Sequence, residues 1–267
     1  MSTTTENMHY KDIDVSALIE LARKAGEEIM EVYSSDFAVE TKDDQSPLTQ
    51  ADKKSNAVII DGLTRLYPAI PYISEETKLL PYWERKNWTT CWLIDPLDGT
   101  KEFIKKNGEF TVNIALIEEG VPVLGVVHVP AQGVTYVGVK GIGAFKYEAG
   151  SNESKPISNN THYSEKAKVI VVASRSHLTD ETLQFVENLK KQGKEVDFLS
   201  SGSSLKFCLV AEGKADIYPR FGPTMEWDTA AAHAVARYAG KEVINYETKL
   251  PLTYNRENLL NPWFIVE

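Results

Sequence analysis

The sequence predicts an α+β first half and an α/β second half. Three patterns support this prediction: helical spacing of apolar residues near the N-terminus, β-rich runs divided by turns over residues 110–147, and alternation of strands and helices after residue 165. The chain has 267 residues, 42% of them hydrophobic and 25% charged, which is enough for one large core or two small ones.

The first elements along the chain are two helices and two strands. Apolar side chains at three-and-four spacing predict an amphipathic helix over residues 14–33, and a second helix is predicted from Thr49 to about Leu66, ending before Pro68. Two β-rich runs follow, IPYIS at 70–74 and CWLID at 91–95, and carboxylates stand at the end of each.

The runs TVNIALI, VPVLGVVHV, VTYVGV and AFKY, separated by EEG, PAQG and KGIG turns, predict an antiparallel meander. The polar stretch at 148–165 is interpreted as a connection. We therefore expect an α+β domain over 1–155 and an α/β domain over 156–267. In the second, strands such as KVIVVAS and EVIN alternate with helices such as WDTAAAHAVARYAG.

Composition excludes several classes of function. The formal net charge of −9 argues against a nucleic-acid surface, which needs clustered Lys and Arg. No run approaches the ~18 apolar residues that cross a bilayer, and the first residues lack the pattern of an export signal. We expect a cytoplasmic protein whose Cys91 and Cys208 are buried free thiols. Peripheral membrane association and oligomeric state stay open.

The segment WLIDPLDGT at 92–100 can carry chemistry. Pro96 favours an extended Asp95, and Gly99 permits a tight turn into a helix. Free backbone N–H groups at such a turn can bind phosphate while the carboxylates of Asp95 and Asp98 bind metal. The alternative is an ordinary strand-to-helix turn with Asp caps.

Other carboxylates could join this segment. Glu75 and Glu76 follow the first strand, and Asp228 begins an Ala-rich helix, where a solvated pair and a helix cap are the alternatives. Carboxylates about 4 Å apart repel by roughly 4 kcal/mol per pair at an effective dielectric constant of 20, so their convergence requires a cation. Hard oxygen ligands without a Cys or His zinc pattern favour Mg²⁺, with Mn²⁺ less clearly separated.

SEE at 74–76, WLIDPLDGTKEF at 92–103 and WDTAAAHAV at 227–235 resemble the three motifs of the inositol monophosphatase superfamily. GEFTVNIALIEEG at 108–120 and GSSLKFCLVAEGKADIYPRFGPTMEWDTAA at 202–231 are similar to its bacterial branch of 3′(2′),5′-bisphosphate nucleotidases. The resemblance spans nearly the whole chain and implies the αβαβα sandwich of that family.

The resemblance implies two or three Mg²⁺ ions. The implied metal ligands are Glu75, Asp95, the Leu97 carbonyl, Asp98 and Asp228, with Glu76 acting through water. The implied substrate-binding residues are Glu75, Leu97, Asp98, Gly99, Thr100, His177, Ser203, Lys206, Arg220 and Asp228.

The implied mechanism is direct attack by a metal-activated water, with no covalent phosphoenzyme. Thr100 and Asp52, the last residue of SPLTQAD at 46–52, would orient this water and accept its proton, and Glu75 would also take part in catalysis. Asp52 also fits a capping box with Thr49, which is the structural alternative. The DxDxT pattern of haloacid-dehalogenase phosphatases, which do form a covalent intermediate, is absent.

The implied substrate is adenosine 3′,5′-bisphosphate, hydrolysed to AMP and phosphate in a Li⁺-sensitive reaction connected with sulfur assimilation. Lys206 and Arg220 would bind the distal phosphate, Ser203 would add a polar contact, and His177 would lie near the adenine or ribose. Solvated surface charge and a structural histidine are the alternatives. Two other functions stay open: an inositol monophosphatase or other sugar phosphatase, and a non-catalytic nucleotide sensor.

Overall fold

The computed structural model describes residues 3–4, 8–34, 39–41, 47–173 and 179–267. The helices are α1 Val15–Tyr33, α2 Gln50–Leu66, α3 Tyr82–Arg85, α4 Thr100–Ile104, α5 Asp180–Lys191, α6 Leu205–Ala211 and α7 Glu226–Tyr238. The strands are β1 Thr3–Thr4, β2 His9–Tyr10, β3 Ile13–Asp14, β4 Val39–Thr41, β5 Pro47–Thr49, β6 Tyr72–Ser74, β7 Thr90–Asp98, β8 Thr111–Glu118, β9 Val121–Val129, β10 Val134–Val139, β11 Gly143–Tyr147, β12 Glu153–Ile157, β13 Lys168–Ala173, β14 Glu195–Ser200, β15 Tyr218–Arg220, β16 Val243–Asn245 and β17 Phe264–Val266.

An eight-stranded sheet in the order β1-β12-β11-β10-β9-β8-β7-β6 forms the centre of the fold. Its strands from β7 to β12 pair antiparallel with their neighbours, as the predicted meander requires, whereas β6 pairs parallel with β7 at the edge. Residues alternate between the two faces of the sheet. In β7, Trp92 and Ile94 contribute to the core with α1 and α2, and Cys91 and Leu93 to the core with α6 and α7.

A second sheet lies beyond α6 and α7. Strands β13 and β14 pair in parallel, a bridge joins Val171 to Ile217, and β15-β17-β16 form an antiparallel group. The α5 residues Val186 and Leu189 pack on the outer face of this sheet. The layers therefore follow one another as helix, sheet, helix, sheet, helix, which confirms the predicted αβαβα sandwich.

Helix α7 packs very closely on the central sheet, because two strands present glycine to it. A Cβ atom placed on Gly125 of β9 would lie 2.1 Å from the Ala231 carbonyl oxygen, and one on Gly138 of β10 would lie 2.4 Å from that of Ala234. The alanines of α7 meet these glycines directly, so the close packing expected from the Ala-rich sequence is present. This contact fixes the N-terminal end of α7, which carries Asp228.

The predicted connection at 148–165 was wrong in part, since it contains β12, which pairs with β11. Its sequence, ESKPI, is polar and includes Pro156, so it lacked the alternation that identifies a strand. The central sheet thus continues past residue 155, and the expected boundary falls within β12. The division into domains 1–155 and 156–267 stays a prediction, and one hydrophobic core contains residues from both ranges.

Smaller differences concern the ends of elements. Strand β7 continues through Pro96 to Asp98, and the helix expected after the Gly99 turn is short, since α4 ends at Ile104. The short strand β17 was not predicted. Cys91 and Cys208 are buried free cysteines, as expected. None of the helices in the described ranges is long and apolar enough to cross a membrane.

Candidate active site

The site is built around the end of β7. Its pairing with β8 shifts register between Asp95 and Asp98, so the strand is irregular where Pro96 interrupts it. The Leu97 N–H donates to Asp95 Oδ1 at 3.0 Å, which holds the buried Asp95 carboxylate against its own backbone. Gly99 then adopts φ 95° and ψ 41°, a left-handed conformation that favours glycine, and α4 begins at Thr100.

Glu75 is placed by the parallel pairing of β6 with β7. Ser74, the last residue of β6, stands opposite Ile94, and the Glu75 N–H donates to the Ile94 carbonyl oxygen at 3.3 Å. Because parallel strands end at the same edge of a sheet, the first residue after β6 lies beside Asp95. The expected meeting of carboxylates at this edge is present.

Asp228 is the third residue of α7, and its Oδ2 accepts a hydrogen bond from the Met225 N–H at 2.8 Å. The helix cap that the sequence offered as an alternative is therefore real. It does not preclude a ligand role, because a carboxylate has two oxygen atoms with several lone pairs. The cap fixes the rotamer and leaves acceptor capacity toward the site.

Ligand oxygens of Glu75, Asp95 and Asp228 lie within 4.8 Å of one another. Burial, with the nearby charge of Glu75, raises the pKa of Asp95 well above its usual range. Burial, with the nearby charge of Asp98, does the same to the pKa of Asp228. At this spacing each pair of ionised groups repels by roughly 4 kcal/mol at an effective dielectric constant of 20, so the three need protons or a cation.

This donor set fits a hard divalent cation. The group consists of carboxylates alone, without cysteine or histidine, and such oxygen ligands suit Mg²⁺ and Mn²⁺ better than Zn²⁺. The relief of mutual repulsion on cation binding supplies a physical reason for the arrangement. Glu75, Asp95 and Asp228 can therefore hold at least one metal ion.

The other predicted ligands lie outside this group of three. Asp98 is half-buried and its Oδ2 accepts from the Ser204 N–H at 2.5 Å, while burial raises its pKa despite the neighbouring Lys206. Leu97 is buried, and the Glu76 N–H donates to Ser74 Oγ at 3.4 Å. Ligand roles for these residues stay predictions.

A cleft next to Asp98 and Asp228 gathers most of the predicted substrate contacts. The residues that line it are Asp98, Gly99, Lys101, Glu102, Ser203, Ser204, Lys206, Phe207, Tyr218, Arg220, Thr224, Asp228 and Thr229. Distant parts of the chain, from α4, α6, β15 and α7, thus form one concave surface that begins at the carboxylates.

Three cations line this cleft, and two of them, Lys206 and Arg220, are predicted substrate contacts. Lys206 is buried, its Nζ donates to the Ser203 carbonyl oxygen at 2.6 Å, and it lies 5.3 Å from the centre of the Tyr218 ring. Burial lowers the pKa of Lys206 to about 8, so it is largely protonated at pH 7. Arg220 donates from Nη2 to the Pro223 carbonyl oxygen at 3.0 Å, and its buried Nε has no hydrogen-bond partner among the described residues. The surface-charge alternative therefore does not hold for Lys206.

Asp52 is buried in the first turn of α2, and its charge helps to raise the pKa of Asp95. Ser55, one turn later, donates from Oγ to the Pro96 carbonyl oxygen at 2.7 Å and so connects α2 to the end of β7. Thr100 is the first residue of α4. The pairing of Asp52 with Thr100 stays a prediction. His177 lies outside the described residues, as does Ser46 of the SPLTQAD motif.

Residues that the sequence did not reveal support Ser203 and Ser204. Thr111 Oγ1 lies 2.7 Å from Ser203 Oγ and 2.8 Å from Ser204 Oγ, and Ser204 Oγ donates to Asn113 Oδ1 at 2.8 Å. The available signal was the pair of polar residues at alternate positions in the otherwise apolar strand TVNIALI. They share one face of β8 and aim at the cleft side.

Comparisons with known proteins cover nearly the whole chain. Residues 12–262 match the model of the inositol monophosphatase family. The 3′(2′),5′-bisphosphate nucleotidase CysQ of Salmonella typhimurium is 49% identical over 250 residues, which is 92% of this chain and 96% of that protein. CysQ of Escherichia coli strain K12 is 49% identical over 251 residues, with the same two coverages.

Solved structures show the same relationship. The crystal structure of CysQ from Bacteroides thetaiotaomicron, described as a bacterial member of the inositol monophosphatase family, superposes with a TM-score of 0.82 at 48% identity, covering 94% of this chain and 96% of that one. The inositol monophosphatase of Thermotoga maritima superposes with a TM-score of 0.72 at 25% identity, covering 94% and 91%. The chain belongs to the inositol monophosphatase family.

Proposed function

We propose that this protein is a Mg²⁺-dependent 3′(2′),5′-bisphosphate nucleotidase that hydrolyses adenosine 3′,5′-bisphosphate to AMP and phosphate. One observation carries the proposal: Asp228, a member of the cluster of three carboxylates, also lines a cleft whose wall holds the buried cation Lys206 and the arginine Arg220. A substrate with one phosphate at the metal site and another some distance away matches this arrangement. The relatives at 49% identity carry the name of this activity.

In this proposal Glu75, Asp95 and Asp228 hold the metal, with Asp98, the Leu97 carbonyl and Glu76 completing sites for two or three ions. Bound Mg²⁺ supplies positive charge to the phosphate oxygens and lowers the pKa of a water molecule near them. The close approach of the carboxylates supports the first three assignments, and the position of Asp98 beside Asp228 supports the fourth.

The remaining steps belong to residues of the chain. Backbone N–H groups of the turn at Leu97–Thr100 bind the scissile phosphate, except that of Leu97, which already donates to Asp95. Asp52 and the Thr100 hydroxyl orient the attacking water and accept its proton. The new bond joins the water oxygen to phosphorus, the bond from phosphorus to the 3′ oxygen breaks, and that oxygen leaves with a proton. Glu75 contributes to catalysis beside the attacked phosphate.

Substrate choice depends on the cleft wall. Lys206 and Arg220 bind the distal phosphate, and Arg220 Nε has an unused hydrogen to donate. Ser203 lies at the same end of the cleft, where φ of 53° places it in the left-handed region. His177 is proposed as a contact to the adenine or ribose on the basis of the sequence alone.

Phosphate release from adenosine 3′,5′-bisphosphate and from inositol 1-phosphate, measured side by side with Mg²⁺, tests the proposal. We expect the higher kcat/KM on the nucleotide. A higher value on inositol 1-phosphate would identify the protein as an inositol monophosphatase, and binding of the nucleotide without turnover would identify it as a sensor.

The proposal extends to the setting of the enzyme. We propose that it acts in the cytoplasm, removes a nucleotide produced in sulfur assimilation, and is inhibited by Li⁺. These statements follow the resemblance to the nucleotidase branch. Assays with LiCl and with NaCl at equal ionic strength test the inhibition, which should be specific to Li⁺.

A further inference from the structure

Arg85, the last residue of α3, joins the segment before β7 to a distant part of the chain. It is 3% exposed, and its Nη1 donates to Asn255 Oδ1 at 2.9 Å and to the Arg256 carbonyl oxygen at 2.6 Å. Its Nη2 donates to the Glu257 carbonyl oxygen at 2.9 Å. In return, Asn255 Nδ2 donates to the Arg85 carbonyl oxygen at 2.9 Å. The guanidinium group thus donates a hydrogen bond to each of residues 255–257.

The same residues bind the beginning of α7. Glu226, the first residue of that helix, is fully buried, and its carboxylate accepts from the Asn255 N–H at 2.6 Å and the Arg256 N–H at 3.1 Å. Arg256 Nε adds a third donor at 3.0 Å. Asp228 follows Glu226 by two residues, so these bonds fix the turn of helix that carries the metal-binding carboxylate.

Arg85 is connected by the chain to Glu75, on the other side of the metal site. Residues 76–89 lead from Glu75 to β7, and strand β6 before them is only three residues long and lies at the edge of the sheet. A strand this short at the edge of a sheet forms few hydrogen bonds, so it fixes the position of the residue after it only weakly. The position of the loop after Glu75 therefore depends on how residues 76–89 are attached. Arg85 is a buried attachment among them, beside the packing of Trp88 on the core and the bond from the Glu119 N–H to the Thr89 carbonyl oxygen.

We infer that Arg85, Asn255 and Glu226 are positioning residues for the metal centre: they form a strap that holds the loop after Glu75 and the start of α7 at the separation a bound cation requires. The inference rests on the metal site proposed above. Like charges on Glu75, Asp95 and Asp228 push their elements apart before a cation binds. A strap that resists this repulsion keeps the site preorganised, so less of the cation's binding energy is spent on assembling it.

A purely structural role for the strap predicts a different result. Buried hydrogen bonds stabilise any fold, so loss of the strap would lower stability in either case. Only a positioning role also weakens the binding of metal to the folded protein. Metal affinity, measured apart from activity, distinguishes the two.

The experiment measures free Mn²⁺ by electron paramagnetic resonance during titration of metal-free protein. The variants are Arg85→Gln, which removes the guanidinium group, and Asn255→Gly, which removes its side-chain partner. Asn255 has φ of 60°, so glycine is accommodated there without backbone strain and keeps the N–H bound to Glu226. Lys241→Gln is the matched control, because Lys241 is also a buried cation, 4% exposed, whose Nζ donates to the Thr161 carbonyl oxygen at 2.7 Å.

We expect Arg85→Gln to raise the Kd for Mn²⁺ by about tenfold, the lower end of effects for residues that support metal ligands. Asn255→Gly should raise it less, by about threefold, because Arg85 keeps its bonds to the Arg256 and Glu257 carbonyl oxygens. Lys241→Gln should be less stable than the parent while its Kd for Mn²⁺ stays within about twofold. At saturating Mn²⁺ the two strap variants should regain most of the parent kcat, since the ligands themselves are intact.

Unchanged Mn²⁺ affinity in folded Arg85→Gln and Asn255→Gly would overturn the positioning role. If Arg85→Gln does not fold, Asn255→Gly decides alone, and a Kd equal to that of the parent refutes the strap. A parent protein that fails to bind Mn²⁺ would instead overturn the proposed metal site. The two failures are therefore distinguishable.

Discussion

Replacing Lys206 with methionine tests whether the cleft wall reads the second phosphate of the substrate. Methionine keeps an unbranched stem of similar length in the buried position and removes the charge that lies beside the Ser203 carbonyl oxygen. A hydrogen bond to a charged group contributes about 1.5–3 kcal/mol, which corresponds to roughly a 10- to 150-fold loss of kcat/KM. We expect this loss on adenosine 3′,5′-bisphosphate.

The kcat/KM of the same variant on adenosine 3′-monophosphate, which has the scissile phosphate and lacks the distal one, should stay close to that of the parent. The assay is release of inorganic phosphate from both substrates at saturating Mg²⁺, with Lys214→Met as a control. Lys214 follows the same helix, is exposed, pairs with the largely buried Glu212, and does not line the cleft, so its loss should leave both rates within about twofold. Equal losses on the two nucleotides would refute a role for Lys206 in recognising the distal phosphate.

Three further predictions concern the metal, the core and pH. Asp95→Asn should abolish turnover and the rise in Tm on adding Mg²⁺ while keeping the fold, because it removes one of three converging carboxylates; normal turnover in this variant would contradict the metal assignment. Gly125→Ala should destabilise the protein by about 2 kcal/mol or more in urea unfolding, since the added Cβ would meet the Ala231 carbonyl oxygen, and unchanged stability would show that α7 can move away. Burial lowers the pKa of His128 to about 4, so between about pH 6.5 and pH 4 only the unfolded chain binds a proton at this imidazole. The free energy of unfolding should therefore decrease by about 3 kcal/mol as pH falls through that window. His128→Gln should lack this contribution, and equal pH dependence of unfolding in parent and variant would be evidence against it.

The carboxylates at the end of β7 could be predicted to meet others because their residue types and the local backbone geometry depend on the same short motif. Pro96 and Gly99 shape the turn that Asp95 and Asp98 occupy, so a short motif contains both pieces of information. Asp228 was found in the same way, from an acidic residue at the start of an alanine-rich helix. In each case the alternative of a cap was also visible, and for Asp228 the structure shows the cap itself.

Contacts between distant loops left no comparable signal. Arg85 and residues 255–257 are separated by about 170 positions, and neither segment has a periodic pattern. Strand β12 was missed for a related reason: at the polar end of the sheet, pairing with β11 and β1 compensates for a sequence that contains Pro156. Tertiary hydrogen bonds determine the conformation of such segments, and local secondary-structure propensity carries no information about those bonds.

The contact of α7 with Gly125 and Gly138 has a consequence for how the enzyme could be redesigned. Ala231 and Ala234 touch the two strands through backbone atoms, so the helix cannot slide by one residue or rotate without collision. This contact holds the carboxylate of Asp228 in a fixed position relative to the central sheet, whereas Lys206 of α6 and Arg220 of β15 lie on other elements that line the cleft. Libraries that vary those two positions should therefore yield phosphatases with new leaving-group preferences while the hydrolytic centre keeps its geometry.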